Sequence, residues 1–220
     1  TRPASVRRAP SVAETRSLLA GVQDVAGYPT RLIVKMLYGC GLRLSEPLNL
    51  RVKDVSFDDS RVFIMGAKGG KDRVVSLPCA VVEELREQLV YARTIWQRDQ
   101  VVKMPVTLPN QLARKYPEHA HSWPWAWAFP SHQPCRHPRT GEMVRYRMHE
   151  ANVQRSVRDA RRKLGISVTP HELRHAYATH SLNRGVNIKA LSEAMGHAQI
   201  ETTAGYCHAE ALSVRSPLEL

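Results

Sequence analysis

Cysteine is scarce and scattered in this chain: Cys40, Cys79, Cys135 and Cys207 form no C-x-x-C pair. A reduced, cytoplasmic compartment is the simplest expectation. No apolar run reaches the roughly 18 residues that mark a membrane helix, and no signal-peptide pattern opens the sequence. Neither a membrane span nor secretion is expected. Internal repeats and low-complexity segments are also missing. Acidic residues are outnumbered, 20 Asp and Glu against 32 Lys and Arg, for a formal charge of +12. An excess of that size favours a polyanionic partner, although a soluble protein can be basic without one. What is present is 43% hydrophobic residues in 220, enough for one large domain with a real core, or two small ones. The first residue is Thr1 rather than Met, so the chain reads as a piece of a longer protein.

The opening, TRPASVRRAP, is a basic, Pro-punctuated arm of the linker type. Ser11 with Glu14 makes a capping box for a helix that stops at Gly21. Thr30 to Tyr38 predicts a second helix with Leu32, Ile33, Met36 and Leu37 inward, closed by a turn at Gly39-Cys40-Gly41. A short helix opens near Leu42–Pro47, where Pro47 is tolerable only in the first turn. Val52–Phe57, Arg61–Met65 and Arg73–Leu77 read as a small antiparallel meander, with Lys68 and Lys71 in its second turn. A long helix from about Cys79 to Gln97 follows, with Val82, Leu85, Leu89 and Ala92 as its stripe. Residues 99–146 are rich in Pro, Trp and His. Within them Pro109–Tyr116 predicts a short basic helix, and Trp125, Trp127 and Phe129 alternate as in a strand burying one face. A basic helix over about His149–Leu164 leads onward.

The chemistry concentrates in Thr169–Tyr206, TPHELRHAYATHSLNRGVNIKALSEAMGHAQIETTAGY. Thr169 and Glu172 form a capping box, Pro170 suits the first helical position, and Gly185 is the stop. His171 and Arg174, three apart, share a face at the helix N-terminus, whose positive dipole and unpaired N–H groups suit a phosphate. Asn187 caps a second short helix ended by Gly196, His197 follows at once, and Tyr206 lies nine residues on. Two imidazoles, a guanidinium and a phenol so close together point to phosphoryl transfer.

Adding Arg43, in G-L-R-L-S-E, and Lys68, in the A-K-G turn, gives an ordered set that resembles the tyrosine recombinase (phage integrase) family over roughly Ser11 to His208. The resemblance implies an α+β, mainly helical catalytic domain with a small three-stranded antiparallel sheet. It also implies a DNA strand-exchange reaction in which Tyr206 attacks a backbone phosphate, forming a phosphotyrosine and freeing a 5′-hydroxyl. The implied roles fit the residue types. A phenol with an ordinary pKa of about 10 needs help to lose its proton. Planar guanidinium forks, Arg43 and Arg174, match the non-bridging oxygens of the transition state. His171 serves as proton acceptor or donor, His197 as hydrogen-bond donor, and Lys68 as acid for the leaving oxygen. No metal or nucleotide cofactor is needed, because the phosphotyrosine conserves the bond energy. Lys71, Arg73, Arg114, Lys115 and Trp123 are candidate DNA contacts.

Each residue also has a plainer reading. Arg43 can cap a helix or pair with Glu46, the turn lysines can be solvated, His197 can be a C-cap, and Tyr206 can be a core aromatic. Gly205 stands before Tyr206 where a bulkier residue is commoner in the family, and costs about 1 kcal/mol in a helix. The family's N-terminal DNA-clamping domain is expected to be absent, leaving an arm at 1–10 and a catalytic domain at 11–220. The stretch 107–146, with L-P-N-Q-L-A-R-K-Y-P and H-S-W-P-W-A-W-A-F-P-S, resembles the insertion of integron integrases, as does the closing S-V-R-S-P-L-E-L. In that branch the substrate is a folded single-strand hairpin joined to a duplex site, and the whole protein acts as a tetramer on DNA. Trp125, Trp127 and Phe129 read better as core, leaving Trp123 as the surface aromatic.

Rival readings are a DNA-binding module without catalysis, a nicking topoisomerase with the same residues, and a zinc metalloprotease. The last rests on H-E-x-x-H at His171–His175, with Glu193 as a third ligand. His119, His121, Cys135 and His137 form a weaker structural-zinc candidate.

Overall fold

The computed structural model describes residues 9–66 and 72–196. The first helix, α1 (Val12–Gly21), opens as expected on a two-way cap: Glu14 N donates to Ser11 Oγ (3.1 Å), and Ser11 N donates to Glu14 Oε2 (2.7 Å). Helix α2 (Thr30–Gly39) is apolar over most of its circumference: Leu32, Ile33, Val34, Met36 and Leu37 are buried, while Arg31 is exposed and Lys35 pairs with Glu84 on the remaining strip. So wide an apolar face needs several neighbours to cover it. The helix contacts α1, the short α3 (Ser45–Leu48) and the long α4 (Cys79–Val101), together with α6 (Glu150–Leu164) and α7 (Pro170–Asn183) further along the chain.

Between α3 and α4 lies the sheet, β1 (Val55–Ser56), β2 (Arg61–Ile64) and β3 (Arg73–Ser76), antiparallel in chain order. Val62 pairs with both Val55 and Val75, so the inward face is set by the period of two. The first strand is shorter than expected. Val52–Asp54 is a 3₁₀ turn, closed by Arg51 N donating to Asp54 Oδ2 (2.8 Å), and this local bond takes the backbone out of the ladder.

Helix α4 runs one turn past Gln97, and its buried line is Val81, Leu85, Gln88, Ala92, Ile95 and Asp99. Val82 and Leu89 sit at the margin of that line. The pattern was shifted because two of its core positions are polar. Gln88 Nε2 donates to Ala128 O (2.8 Å), and Asp99 accepts from Arg145 Nε (2.7 Å) and Nη2 (2.6 Å).

The following segment carries α5 (Asn110–Lys115), 3₁₀ turns at Pro117–His121 and Trp123–Trp125, and a two-strand hairpin of β4 (Cys135–Arg136) and β5 (Met143–Val144). Trp125–Phe129 is not a strand. One bridge, Arg51↔Trp127, joins it to the core, with Ala128 N donating to Leu50 O (2.9 Å). Burial is continuous from Ala126 to Pro130, so both sides are covered and the alternation of aromatics carried no strand signal. Trp127 and Phe129 are core as expected, and Trp125 is half-buried.

Helix α6 is capped by His149 and ends on left-handed Gly165; α7 opens on the Thr169–Glu172 capping box. The last described helix, α8 (Ile188–Met195), is capped by Asn187 Oδ1 and ends on Gly196 at φ +63°. Among the described residues no helix is long and apolar enough to cross a membrane.

The Asp99–Arg145 pair ties the segment between α4 and α6 to α4: both side chains are under 10% exposed, and Arg145 Nη1 also donates to the carbonyls of Ser131 and His132. Breaking a buried pair strands the other charge. Asp99→Ala is therefore expected to cost about 3 kcal/mol or more, read as a melting point lower by roughly 6–12 °C.

Candidate active site

Arg43 follows the Gly39-Cys40-Gly41 turn, and that turn is needed where it stands. Gly41 has φ +62°, and a Cβ there would lie 2.4 Å from the Tyr177 ring on α7. The close approach lets the Gly41 carbonyl meet α7, where Arg174 Nη1 donates to it (2.6 Å). Arg174 is only 3% exposed, and its Nη2 donates to Met195 O (2.6 Å). Burial against the same turn pushes the Tyr177 phenol up from its ordinary pKa.

Arg43 is a quarter exposed. Its Nη1 donates to Glu46 Oε1 (2.9 Å), its backbone N to Glu46 Oε2 (2.7 Å), and its Nη2 reaches Gly196 O (3.4 Å). Residues 131 positions apart, Arg43 and Arg174, thus hold consecutive carbonyls at the C-terminal end of α8. That end carries the negative pole of the helix dipole, which explains why cations gather there. A shallow cleft of about 80 Å³ opens beside Arg43 and Glu46, walled by the base of the β2–β3 hairpin at Phe63–Gly66.

Glu46 is the residue that sequence reasoning undervalued, treating it only as a plain partner for Arg43. It is 6% exposed and holds two arginines at once. Burial alone would raise its pKa, but hydrogen bonds from Arg73 and Arg43 with the Arg73 charge outweigh that and hold the carboxyl below its ordinary value. The stabilisation from this pair is therefore present above that ordinary value and lost as pH falls through the depressed one.

Arg73, expected to contact DNA, does not face solvent. Its Nη1 and Nη2 donate to the two Glu46 oxygens (2.9 and 2.7 Å), and its Nε donates to Ala194 O (2.8 Å). Arg73 shares the inward side of β3 with buried Val75, two residues on, and the buried carboxylate opposite receives it. Arg114 and Lys115 are exposed on α5. Trp123 is half-buried, its ring 5.6 Å from Trp96 and beneath Arg93, so it is already packed rather than open. Lys68, Lys71, His197 and Tyr206 lie outside the described residues.

His171 is exposed on the first turn of α7, and its Nε2 is 2.8 Å from His175 Nε2, one ring donating to the other. Two imidazoles on one zinc ion would hold their nitrogens roughly 3.3 Å apart. Glu172 is engaged in the cap, its Oε2 accepting from Thr169 N (2.7 Å), rather than poised as a base. Among the described residues no three His, Cys, Asp or Glu side chains gather. His119 stacks between Tyr116 and Trp125, and His137 Nδ1 accepts from the N–H groups of Arg139 and Thr140.

Two bacterial proteins described as integrase/recombinase, from Escherichia coli and Pseudomonas aeruginosa, are each 40% identical over 99% of this chain and 66% of their own length. Tyrosine recombinase XerA of Pyrococcus furiosus is 31% identical over 86% of this chain and 53% of its own. The chain thus spans less than two thirds of the relatives it matches. A crystal structure of XerA recombinase superposes with a TM-score of 0.64 at 27% identity, covering 94% of this chain and 62% of that one. XerH bound to its palindromic difH substrate superposes at 0.65 and 21% identity, covering 96% and 53%, a likeness of fold. The sequence profile of the phage integrase family matches residues 11–212, and the chain belongs to that family.

Proposed function

We propose that this chain is the catalytic part of a tyrosine site-specific recombinase, which cleaves and rejoins DNA through a 3′-phosphotyrosyl intermediate. The observation that carries the reading is the convergence of Arg43 and Arg174 on the last carbonyls of α8, one residue before His197. A fold has reason to bring two guanidinium groups together at such a corner when a shared anion is to be bound.

In this reading Tyr206 Oη attacks the scissile phosphorus, and the bond to the 5′-oxygen breaks. Arg43 and Arg174 take the charge on the non-bridging oxygens, His171 accepts or returns the phenol proton, and His197 donates a hydrogen bond. Lys68 gives its proton to the departing 5′-oxygen. A 5′-hydroxyl from a second strand reverses the sequence. The roles of Lys68, His197 and Tyr206 rest on their places in the sequence pattern and on family membership. His171, exposed at a helix N-terminus, meets the phosphate through the positive end of α7. The pair with His175 leaves one imidazole of the two to carry the exchangeable proton at the shared nitrogen.

The finer reading is an integron integrase, joining a folded single-strand cassette site to a duplex partner and assembling as a tetramer in the whole protein. It is supported by the 107–146 segment, whose α5 presents Arg114 and Lys115 to solvent beside the stacked Tyr116, His119 and Trp125. Residues 1–10 are a basic linker arm beside the catalytic domain at 11–220, and Lys71 is a further DNA contact. The Tn1549 transposon integrase, a neighbour in fold whose structure is a complex with transposon right end DNA, supports a DNA partner.

A nicked suicide substrate, offered both as duplex and as folded single strand, tests the proposal. Wild-type protein is expected to form a covalent adduct that Tyr206→Phe abolishes; DNA binding without adduct would leave only a binding module. Joining of strands from two different DNAs separates a recombinase from a nicking topoisomerase. Lys68→Ala is expected to slow cleavage with binding largely kept, and a 5′-thiol leaving group to restore the rate; failure of that rescue removes the general-acid role. Arg174→Lys is expected to lower single-turnover cleavage by roughly 10²-fold while the dissociation constant changes little. A uniform loss of affinity with unchanged cleavage would contradict the clamp.

A further inference from the structure

We propose that Arg73 is a positioning residue for strand cleavage, acting through Glu46 and the end of α8 rather than by touching DNA. This rests on the recombinase reading above. Three arginines from three separate segments hold three successive carbonyls: Arg73 on Ala194, Arg174 on Met195 and Arg43 on Gly196. Two of the three belong to the phosphate site. The third is buried, with its side chain 7% exposed, and each of its three nitrogens is engaged inside the protein.

Its place gives it two effects. The first is electrostatic. Glu46 accepts two hydrogen bonds at each oxygen, one from Arg43 and one from Arg73. With both cations the group carries a net charge of about +1, leaving Arg43 an excess to place on a phosphate. Without Arg73 the buried carboxylate is matched by Arg43 alone, and the pair is neutral. The second effect is geometric. Arg73 is the first residue of β3, directly after the hairpin turn that carries Lys68 in the sequence. Its stem lies under Gly196, where an added Cβ would fall 2.9 Å from Arg73 Cδ. One guanidinium thereby fixes the base of the hairpin, the α3 carboxylate and the residue from which the chain passes to His197. A lysine keeps the charge but has no planar fork to hold both oxygens and a carbonyl together.

The test uses Arg73→Met and Arg73→Lys, with single-turnover cleavage of a nicked suicide substrate at saturating DNA, the dissociation constant and the melting point measured for each. Arg73→Met is expected to cleave roughly 10- to 100-fold more slowly, with the dissociation constant within about twofold, as for a residue off the DNA surface. Arg73→Lys is expected to recover part of that loss, since it restores the charge without the fork. Rates are compared well below each melting point; if Arg73→Met does not fold, Arg73→Lys is read alone, and a slower rate at unchanged affinity supports the proposal. Wild-type cleavage rates in the folded variants, or losses that follow DNA affinity, overturn it. Absence of an adduct with wild-type protein would instead sink the recombinase reading itself.

Discussion

A buried carboxylate between two guanidinium groups is the constraint from which the site takes its shape. Glu46 is short of solvent and can neither rotate nor give up either partner without leaving a charge in a poor dielectric. Because Arg43 and Arg73 also reach the last carbonyls of α8, the carboxylate indirectly decides where that helix ends. The helix pole and the acid present negative charge to the same cluster of cations from two directions. The corner is consequently cross-tied by its own hydrogen bonds, as the phosphoryl transfer proposed above requires of donors that hold a transition state without reorganising.

Around that corner the rest of the fold acts as scaffolding. Helix α2, buried over most of its surface, positions the Gly39–Gly41 turn, and the turn can pass only because Gly41 has no side chain to strike Tyr177. The capping box at Thr169 places Arg174 one turn into α7, facing back toward that turn. Elsewhere arginines serve as internal ties. Arg51 lies over the Trp127 ring, 3.1 Å from its centroid, and donates to the carbonyls of Trp125 and Thr107; burial pulls its pKa down, opposed by Asp54. Part of the chain's basic excess is therefore spent inside the molecule and is not a surface for polyanions.

Much of this was legible in the sequence, and the reason is local chemistry. Caps are written in two or three adjacent residues, so the starts of α1, α7 and α8 were readable from Ser11, Thr169 and Asn187. The sheet was readable from its period of two, except at Val52–Asp54, where a side chain closes on its own backbone. The Trp-rich stretch misled because burial on both sides leaves no period to detect. Arg73 misled for another reason: it lies on the face of buried Val75, but the carboxylate that receives it there stands elsewhere in the chain. Glu46 was visible as an i,i+3 partner, but its second arginine, 27 residues away, was not.

The segment between α4 and α6 is attached through fixed points that cross to the core: the isolated bridge Arg51↔Trp127, the Gln88 hydrogen bond to the Ala128 carbonyl and the Asp99–Arg145 pair. All lie at its base, close to the core. The β4–β5 hairpin and α5 project beyond them, largely solvated. Such an arrangement separates anchorage from content: a change of length in the outer loops leaves the corner around Glu46 with its dimensions.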